Sequence, residues 1–109
     1  MYNSLGPGLL ESVYQHILNY KLQKCGLETK VEFPVPVFYD NQKMDIGFRI
    51  DILVNDLVVI EIKSVETLAA VHHKQILTYL KLTDLKLGLL VNFNSEDISK
   101  NIFRKVNGL

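Results

Sequence analysis

The chain lacks the residues on which several classes of small protein depend. Cys25 is its only cysteine, so neither an intramolecular disulfide nor a cysteine-rich zinc site can form. No uninterrupted apolar run approaches the ~20 residues of a membrane-spanning helix, and the N-terminus has no signal-peptide pattern. These absences favour a cytoplasmic protein without a membrane segment.

The chain also lacks a net charge, because twelve Lys and Arg residues balance twelve Asp and Glu residues. This balance excludes a histone-like protein that binds mainly by neutralising phosphates, but it is compatible with a local nucleic-acid site. With 109 residues, 48% of them hydrophobic, the chain can bury a core without disulfide or metal supports. We therefore expect a single domain over residues 1–109.

Hydrophobic periodicity predicts an α/β protein. Apolar residues at steps of three and four predict two helices, over residues 9–25 and 69–82. Extended segments are predicted over residues 29–39, 44–54, 57–63 and 86–93. The apolar residues after Ser95 fit either a helix or a short strand, and a strand near residues 101–106 is favoured. The order α-β-β-β-α-β, with a last short strand, predicts a three-layer-like α/β sandwich around a central mixed sheet.

Two local patterns indicate how the strands lie. Pro34 and Pro36 cannot donate to a strand ladder, so the first strand is expected at an edge of the sheet. The second and third strands are apolar on both faces and are expected to lie buried between layers. Because side chains alternate along a strand, one face of the second strand should present Phe48, Ile50, Ile52 and Val54.

Three charged residues interrupt these apolar strands. Asp51 lies in the second strand, and Glu61 and Lys63 lie in the third. Ionised groups are costly to bury unless they are paired or bind a metal. Two carboxylates from adjacent strands would suit Mg²⁺, with the lysine acting on an attacking water, as in metal-assisted phosphodiester hydrolysis. A buried ion-pair network with Arg49 and Lys63, without catalysis, remains an equal alternative.

The turn between these two strands tests the metal hypothesis. A two-residue Asn55-Asp56 turn would place Val54 opposite Leu57 and would leave Glu61 on the face opposite to Asp51. A shared face needs an odd loop, for example Val54-Asn55-Asp56 with Asp56 left-handed, or a β-bulge. We predict one of these two arrangements.

Asp51, followed ten residues later by Glu61-Ile62-Lys63, resembles the PD-(D/E)XK nuclease superfamily. The segment from Gly8 to Tyr14 resembles the motif that names its GxxExxY branch. The similarity extends over Leu-Gly-Pro-Gly at 5 to 8, Gln-Ile-Leu-Thr-Tyr at 75 to 79 and Gly-Leu-Leu-Val-Asn-Phe at 88 to 93. It implies a restriction-endonuclease-like core and an Mg²⁺- or Mn²⁺-dependent nuclease acting on DNA or RNA.

The resemblance also implies roles for individual residues. The metal would be bound by Asp51, Glu61 and the backbone carbonyl of Ile62, while Lys63 would act on the water. Two further roles fall on the predicted helices: Glu11 would reach the metal directly or through water, and Gln75 would brace the site or contact the scissile phosphate.

The chain departs from the family in two places. Ile50 replaces the proline of the family name, which is not a ligand. Relatives usually have a helical stretch before residues 5–8, so the chain looks truncated, and the apolar surface that this helix would cover is expected to be exposed or to meet another subunit. A homodimer or an unknown protein partner is therefore one expectation. The alternative function is a catalytically silent nuclease-like binding or scaffold protein.

Other residues have structural interpretations beside functional ones. Glu11 is also a first-turn helix acid, and Tyr14 is also a core ring. Gln75 and Tyr79, one turn apart, would line the site or hold the second helix on the sheet. His72 and His73 point in different directions on a helix and are expected to be solvated or capping residues. An empty acidic site would repel phosphate, and a divalent cation would change the formal charge from zero to +2.

Overall fold

The computed structural model describes residues 10–44, 47–93 and 98–108. Its elements are α1 (Glu11–Lys24), β1 (Thr29–Pro34), β2 (Val37–Tyr39), β3 (Gln42–Met44), β4 (Arg49–Val54), β5 (Val58–Lys63), α2 (Ala70–Thr83), β6 (Leu87–Asn92), a 3₁₀ turn (Ile98–Asn101) and β7 (Ile102–Val106). The predicted Leu-Gly-Pro-Gly segment and Leu9 lie outside the described residues. Neither described helix has the length and apolar character needed to cross a membrane.

Five strands form the main sheet, in the order β1-β4-β5-β6-β7. Only β5 and β6 pair in parallel, while the other neighbours are antiparallel, so the sheet is mixed as predicted. β1 lies at one edge, which confirms the position expected from its prolines.

The extended segment over residues 29–39 is two strands and not one. β1 pairs with β4, whereas β2 pairs with β3 in a separate two-stranded sheet. Pro34 and Pro36 explain the division, because they have no N–H for a continuous ladder. Val35 between them donates its N–H to the carbonyl of Phe48 at 2.9 Å, which joins the chain to the residue before β4 ahead of the small hairpin.

The two helices cover opposite faces of the sheet. Tyr14 of α1 packs with Ile60 and Ile62, whereas Ile76 of α2 packs with Val59, the neighbour that alternation places on the other face. Gly88 lets α2 approach β6 closely: a Cβ atom there would lie 2.8 Å from Cδ1 of Ile76. These contacts confirm a three-layer sandwich with the restriction-endonuclease-like arrangement that the resemblance implies.

One prediction about β4 is wrong. Ile50 packs in the core on the α2 side, with Phe48 against it, whereas Ile52 and Val54 pack on the α1 side. Residues two apart on a regular strand would share a face, so β4 changes its facing at Asp51. The sequence pattern shows only that all four side chains are apolar, and it does not show this irregularity.

Candidate active site

The turn between β4 and β5 has an odd number of residues, which is the parity needed to place Asp51 and Glu61 on one face. Val54 pairs with Val58, so the loop has three residues, Asn55 to Leu57. Asn55 and Asp56 have φ of 53° and 54°, the left-handed region that Asn and Asp tolerate best. The predicted odd loop with a left-handed Asp56 is confirmed, although the loop is displaced by one residue from the example Val54-Asn55-Asp56.

The two carboxylates interlock where the β4–β5 ladder ends. Regular pairing runs from the pair Val54–Val58 to the pair Ile52–Ile60. Beyond it, the N–H of Asp51 donates to Oε1 of Glu61 at 3.2 Å, and the N–H of Ile62 donates to Oδ2 of Asp51 at 2.7 Å. Side-chain oxygens thus replace strand-to-strand bonds, and both acids lie at one point of the sheet.

Burial makes both acids hard to ionise. It raises the pKa of Asp51 to about 6, against the effects of the Ile62 N–H and Lys63. Burial, followed by the charge of the nearby Asp51, raises the pKa of Glu61 to about 8. A divalent cation would offset this repulsion, and carboxylate oxygens are its preferred ligands, so the donor chemistry fits such an ion.

The carboxylate pair is not a complete cage for a metal. Within the described ranges, no three His, Cys, Asp or Glu side chains form a group that could hold an ion by themselves. This is compatible with Mg²⁺, which usually takes one or two carboxylates and completes its shell with water and substrate oxygens.

The alternative ion-pair network is not present. In the described part of the chain, the ion pairs join Lys30 to Asp56 at 2.7 Å and Lys86 to Asp84 at 3.7 Å. Neither includes Asp51 or Glu61, so pairing with Arg49 or Lys63 does not explain why these acids are buried.

Lys63 and Glu11 both reach this end of β5. Lys63 is half-buried, and its charge lowers the pKa of both Asp51 and Glu61. Glu11, at the start of α1, accepts a hydrogen bond at 3.3 Å from the N–H of Ser64, the residue after Lys63. Its charge contributes to the raised pKa of Asp51. The structure therefore brings both predicted residues to the carboxylate pair.

α2 contributes a second layer of polar groups. The side-chain amide of Gln75 donates to the hydroxyl of Tyr79 at 3.0 Å. Tyr79 is buried, and burial followed by the charge of Glu61 raises its pKa. Gln75 thus bonds to a residue that is near enough to the carboxylate pair for their charges to raise its pKa. Tyr79 therefore belongs to the surroundings of the pair, which its sequence position does not indicate.

Glu32 is an acid near the site that the sequence did not identify. Its charge contributes to the raised pKa of both Asp51 and Glu61. It lies between the pairs Val31–Ile52 and Phe33–Ile50, hence opposite Asp51, and its φ is 51°. The other non-glycine residues of positive φ in the described ranges are all Asn or Asp, which makes a glutamate there unusual. Finding it required the strand register.

Asn92 is a second residue without an assigned role in the sequence analysis. It is almost fully buried, donates to the carbonyl of Val65 at 2.9 Å and accepts from the Val65 N–H at 3.1 Å. The end of β6 thereby fixes the segment that follows Lys63. A polar residue closing an apolar strand was the signal that could have identified it.

The remaining candidates have structural roles. Nδ1 of His72 accepts the N–H of Ala69 at 2.9 Å, so the capping role is confirmed for this histidine. The ring of His73 packs edge-on against Phe103, with centroids 5.1 Å apart. Tyr14 is fully buried and stacks on Phe93, with centroids 4.4 Å apart.

Comparison with known proteins agrees with this geometry. No curated protein and no solved structure matches the chain. A family model described as the PD-(D/E)XK nuclease superfamily matches residues 1–105, which includes both interlocked carboxylates and the lysine after them. The chain therefore belongs to the PD-(D/E)XK nuclease superfamily.

Proposed function

We propose that the protein is a Mg²⁺- or Mn²⁺-dependent nuclease of the GxxExxY branch, which hydrolyses phosphodiester bonds in DNA or RNA. Superfamily membership supports nuclease activity. The main structural support is the interlocked pair of Asp51 and Glu61 at the end of a strand ladder. Glu61 is buried and Asp51 is half-buried, and neither has a cationic partner within 4.0 Å among the described residues.

The metal would be held by Asp51, Glu61 and the backbone carbonyl of Ile62. When bound, it would polarise the phosphate and lower the pKa of a coordinated water. The hydrogen bonds from the N–H groups of Asp51 and Ile62 hold the two carboxylates in place before any ligand arrives. This preorganisation favours binding of an ion over collapse of the site.

Three side chains would serve the reaction. Lys63 would orient the attacking water and offset charge on the phosphate. Glu11, held by the Ser64 N–H, would accept a proton or a hydrogen bond from a water at the same end of β5. Gln75 would keep the Tyr79 hydroxyl oriented near Glu61 or donate to the phosphate.

A cleavage assay on single-stranded DNA, duplex DNA and RNA tests the activity. We expect Asp51→Asn and Lys63→Met each to lower the rate by about 100-fold or more. The matched controls are Asp56→Asn and Lys86→Met, which change exposed groups that form ion pairs elsewhere. Equal rates for the site variants and their controls would indicate a contaminating nuclease.

Calorimetric titration with Mn²⁺ tests the metal independently of cleavage. Because the pKa of Glu61 is about 8, binding at pH 7 should release about one proton, which is measured by comparing buffers of different ionisation enthalpy. Asp51→Asn should abolish this binding, and Asp56→Asn should preserve it. A wild-type protein that binds no metal and cleaves nothing would contradict the proposal, and nucleic-acid binding without cleavage would favour the silent binding protein.

A further inference from the structure

A cleft of about 330 Å³ opens where β1 ends and β4 begins. Phe33 and Pro34 come from β1, Phe48 and Arg49 from the start of β4, and Lys43 from the β2–β3 hairpin. Its volume lies at the lower end of the roughly 300–1,000 Å³ of small-molecule pockets. The cleft can therefore hold a group of nucleotide size, and a duplex would not enter it.

The lining combines exposed cations with half-buried rings. Lys43 and Arg49 are exposed, Phe33 and Phe48 are half-buried, and no carboxylate is among the described lining residues. Cations and aromatic rings in one groove are the features that bind single strands, because phosphates pair with the cations and unstacked bases stack on the rings. The groove is thus complementary to a nucleic-acid strand in charge and in the side chains that it presents.

The cleft lies near the carboxylate pair, although neither acid is among its described lining residues. Arg49 precedes Asp51 by two residues, or about 7 Å along the strand. The Phe48 ring lies 5.8 Å from the ring of Tyr79, whose hydroxyl accepts from Gln75. The cleft is therefore close enough to receive a nucleotide next to a phosphate held at Asp51 and Glu61.

We propose that the cleft binds an unpaired nucleotide next to the scissile phosphate, so that the substrate is a single-stranded nucleic acid or a single-stranded end. Its base stacks on Phe48 or Phe33, and its phosphate contacts Arg49 or Lys43. This inference rests on the proposed nuclease function and specifies the substrate class of the same site.

Binding is measured by fluorescence anisotropy with labelled twelve-nucleotide probes in Ca²⁺, with strand integrity checked afterwards on a gel. The probes are oligo-dT, oligo-rU, a DNA duplex and a strand without bases. We expect the single strands to bind at least about fivefold more tightly than the duplex and the abasic strand, as base stacking predicts. A comparison of oligo-dT with oligo-rU shows whether the cleft prefers an unpaired nucleotide of DNA or of RNA.

Variants locate the binding to the cleft. Phe48→Leu should weaken single-strand binding about five- to tenfold, whereas Phe38→Leu, which removes an exposed ring on β2 outside the cleft, should leave it unchanged. Arg49→Gln should weaken binding of every strand and reduce its salt dependence by about one phosphate contact, whereas Arg104→Gln on β7 should not. Circular dichroism checks that each variant is folded. Lys43→Gln changes an exposed cation of the cleft, so its effect on binding tests the cleft without altering a packed side chain.

The outcomes separate this inference from the nuclease proposal. Equal binding of duplex, abasic and single strands, with Phe48→Leu and Lys43→Gln unchanged, would overturn the cleft assignment even if the protein cleaves. Preferential single-strand binding that depends on Phe48 and Arg49 would support the cleft as a single-strand site even if no cleavage is found. In that case the nuclease proposal, and with it the position next to a scissile phosphate, would fail.

Discussion

The β4–β5 strand pair has two ends that differ in chemistry. Near the turn, Leu53 and Val59 continue a regular and wholly apolar ladder that ends at Ile52 and Ile60. One step further, the ladder is replaced by the carboxylates of Asp51 and Glu61, each bonded to the backbone of the opposite strand. The same two strands thus supply apolar packing at one end and a pair of adjacent carboxylates at the other.

The open end is locally unfavourable in three ways. The buried Glu61 lies beside the half-buried Asp51, β4 changes its facing at Asp51, and Glu32 opposite takes a left-handed conformation. Each of these features costs free energy that the regular end and the two hydrophobic layers must offset. Such a local conflict with good packing is what a functional site is expected to show.

Deleting Asp56 should have the largest effect, because it shortens the loop and reverses the parity between the two strands. Glu61 would then leave the face of Asp51, or the strands would not pair. We expect the deletion to abolish Mn²⁺ binding and to lower the free energy of unfolding by more than about 4 kcal/mol, measured by calorimetry and urea denaturation. The control is Asp56→Gly, which loses the same ion pair with Lys30 but keeps the loop length and tolerates its φ of 54°. Wild-type metal binding in the deletion variant would contradict the parity argument.

The next largest effect concerns the pH dependence of stability. The folded-state pKa of Glu61, about 8, lies above its ordinary value of 4.5. The native state therefore holds a proton that the unfolded state has lost, and stability should fall as pH rises from about 4.5 to about 8. Glu61→Gln should remove most of this slope and stabilise the protein by several kcal/mol at pH 8.5, with little change at pH 4.

Ile60→Val provides the contrast at the regular end of the same strand. It should cost about 1 kcal/mol at every pH, because it removes a buried methylene and no charge. Urea denaturation across pH 4 to 9 measures both variants. A flat wild-type profile, or a Glu61→Gln effect that does not change with pH, would show that Glu61 is ionised in the native state at neutral pH.

The smallest effect is expected at Glu32. Glu32→Gly relieves the left-handed backbone and the repulsion, so it should stabilise the protein at pH 8 by about 0.5 to 1 kcal/mol. Glu32→Gln removes only the charge and should give a few tenths of a kcal/mol. The same glycine substitution at Glu28, which is not among the residues of positive φ, should instead destabilise. Chemical denaturation distinguishes the expected gain in stability at Glu32 from the expected loss at Glu28. A destabilised Glu32→Gly variant would show that the left-handed backbone of Glu32 is not strained.

Much of the site was predictable because its chemistry is local in sequence. Asp51, Glu61 and Lys63 are charges within apolar strands, and such residues demand a reason whatever the fold. The odd loop followed from counting residues, since a shared face allows only certain turn lengths. The edge position of β1 followed from the missing N–H groups of its prolines.

Other features depend on contacts that no single segment encodes. Glu32 reaches the site only because β1 pairs with β4 in a register that places it opposite Asp51. Tyr79 faces Glu61 only because α2 packs across the sheet, and the cleft forms only where β1, β4 and the small hairpin meet. The division of residues 29–39 into two strands likewise depended on which partners were within reach.

The sequence by itself determined the order of the two helices and of the five strands of the main sheet, the acids and lysine of the candidate site, and the odd length of the loop between them. These properties follow from side-chain alternation, helical periodicity and residue chemistry, which act over a few neighbouring residues. The tertiary structure alone decided the facing of β4 at Asp51, the position of Glu32 and the place of the cleft. These depend on strand register and layer packing, which are set by the free energy of the whole assembled core.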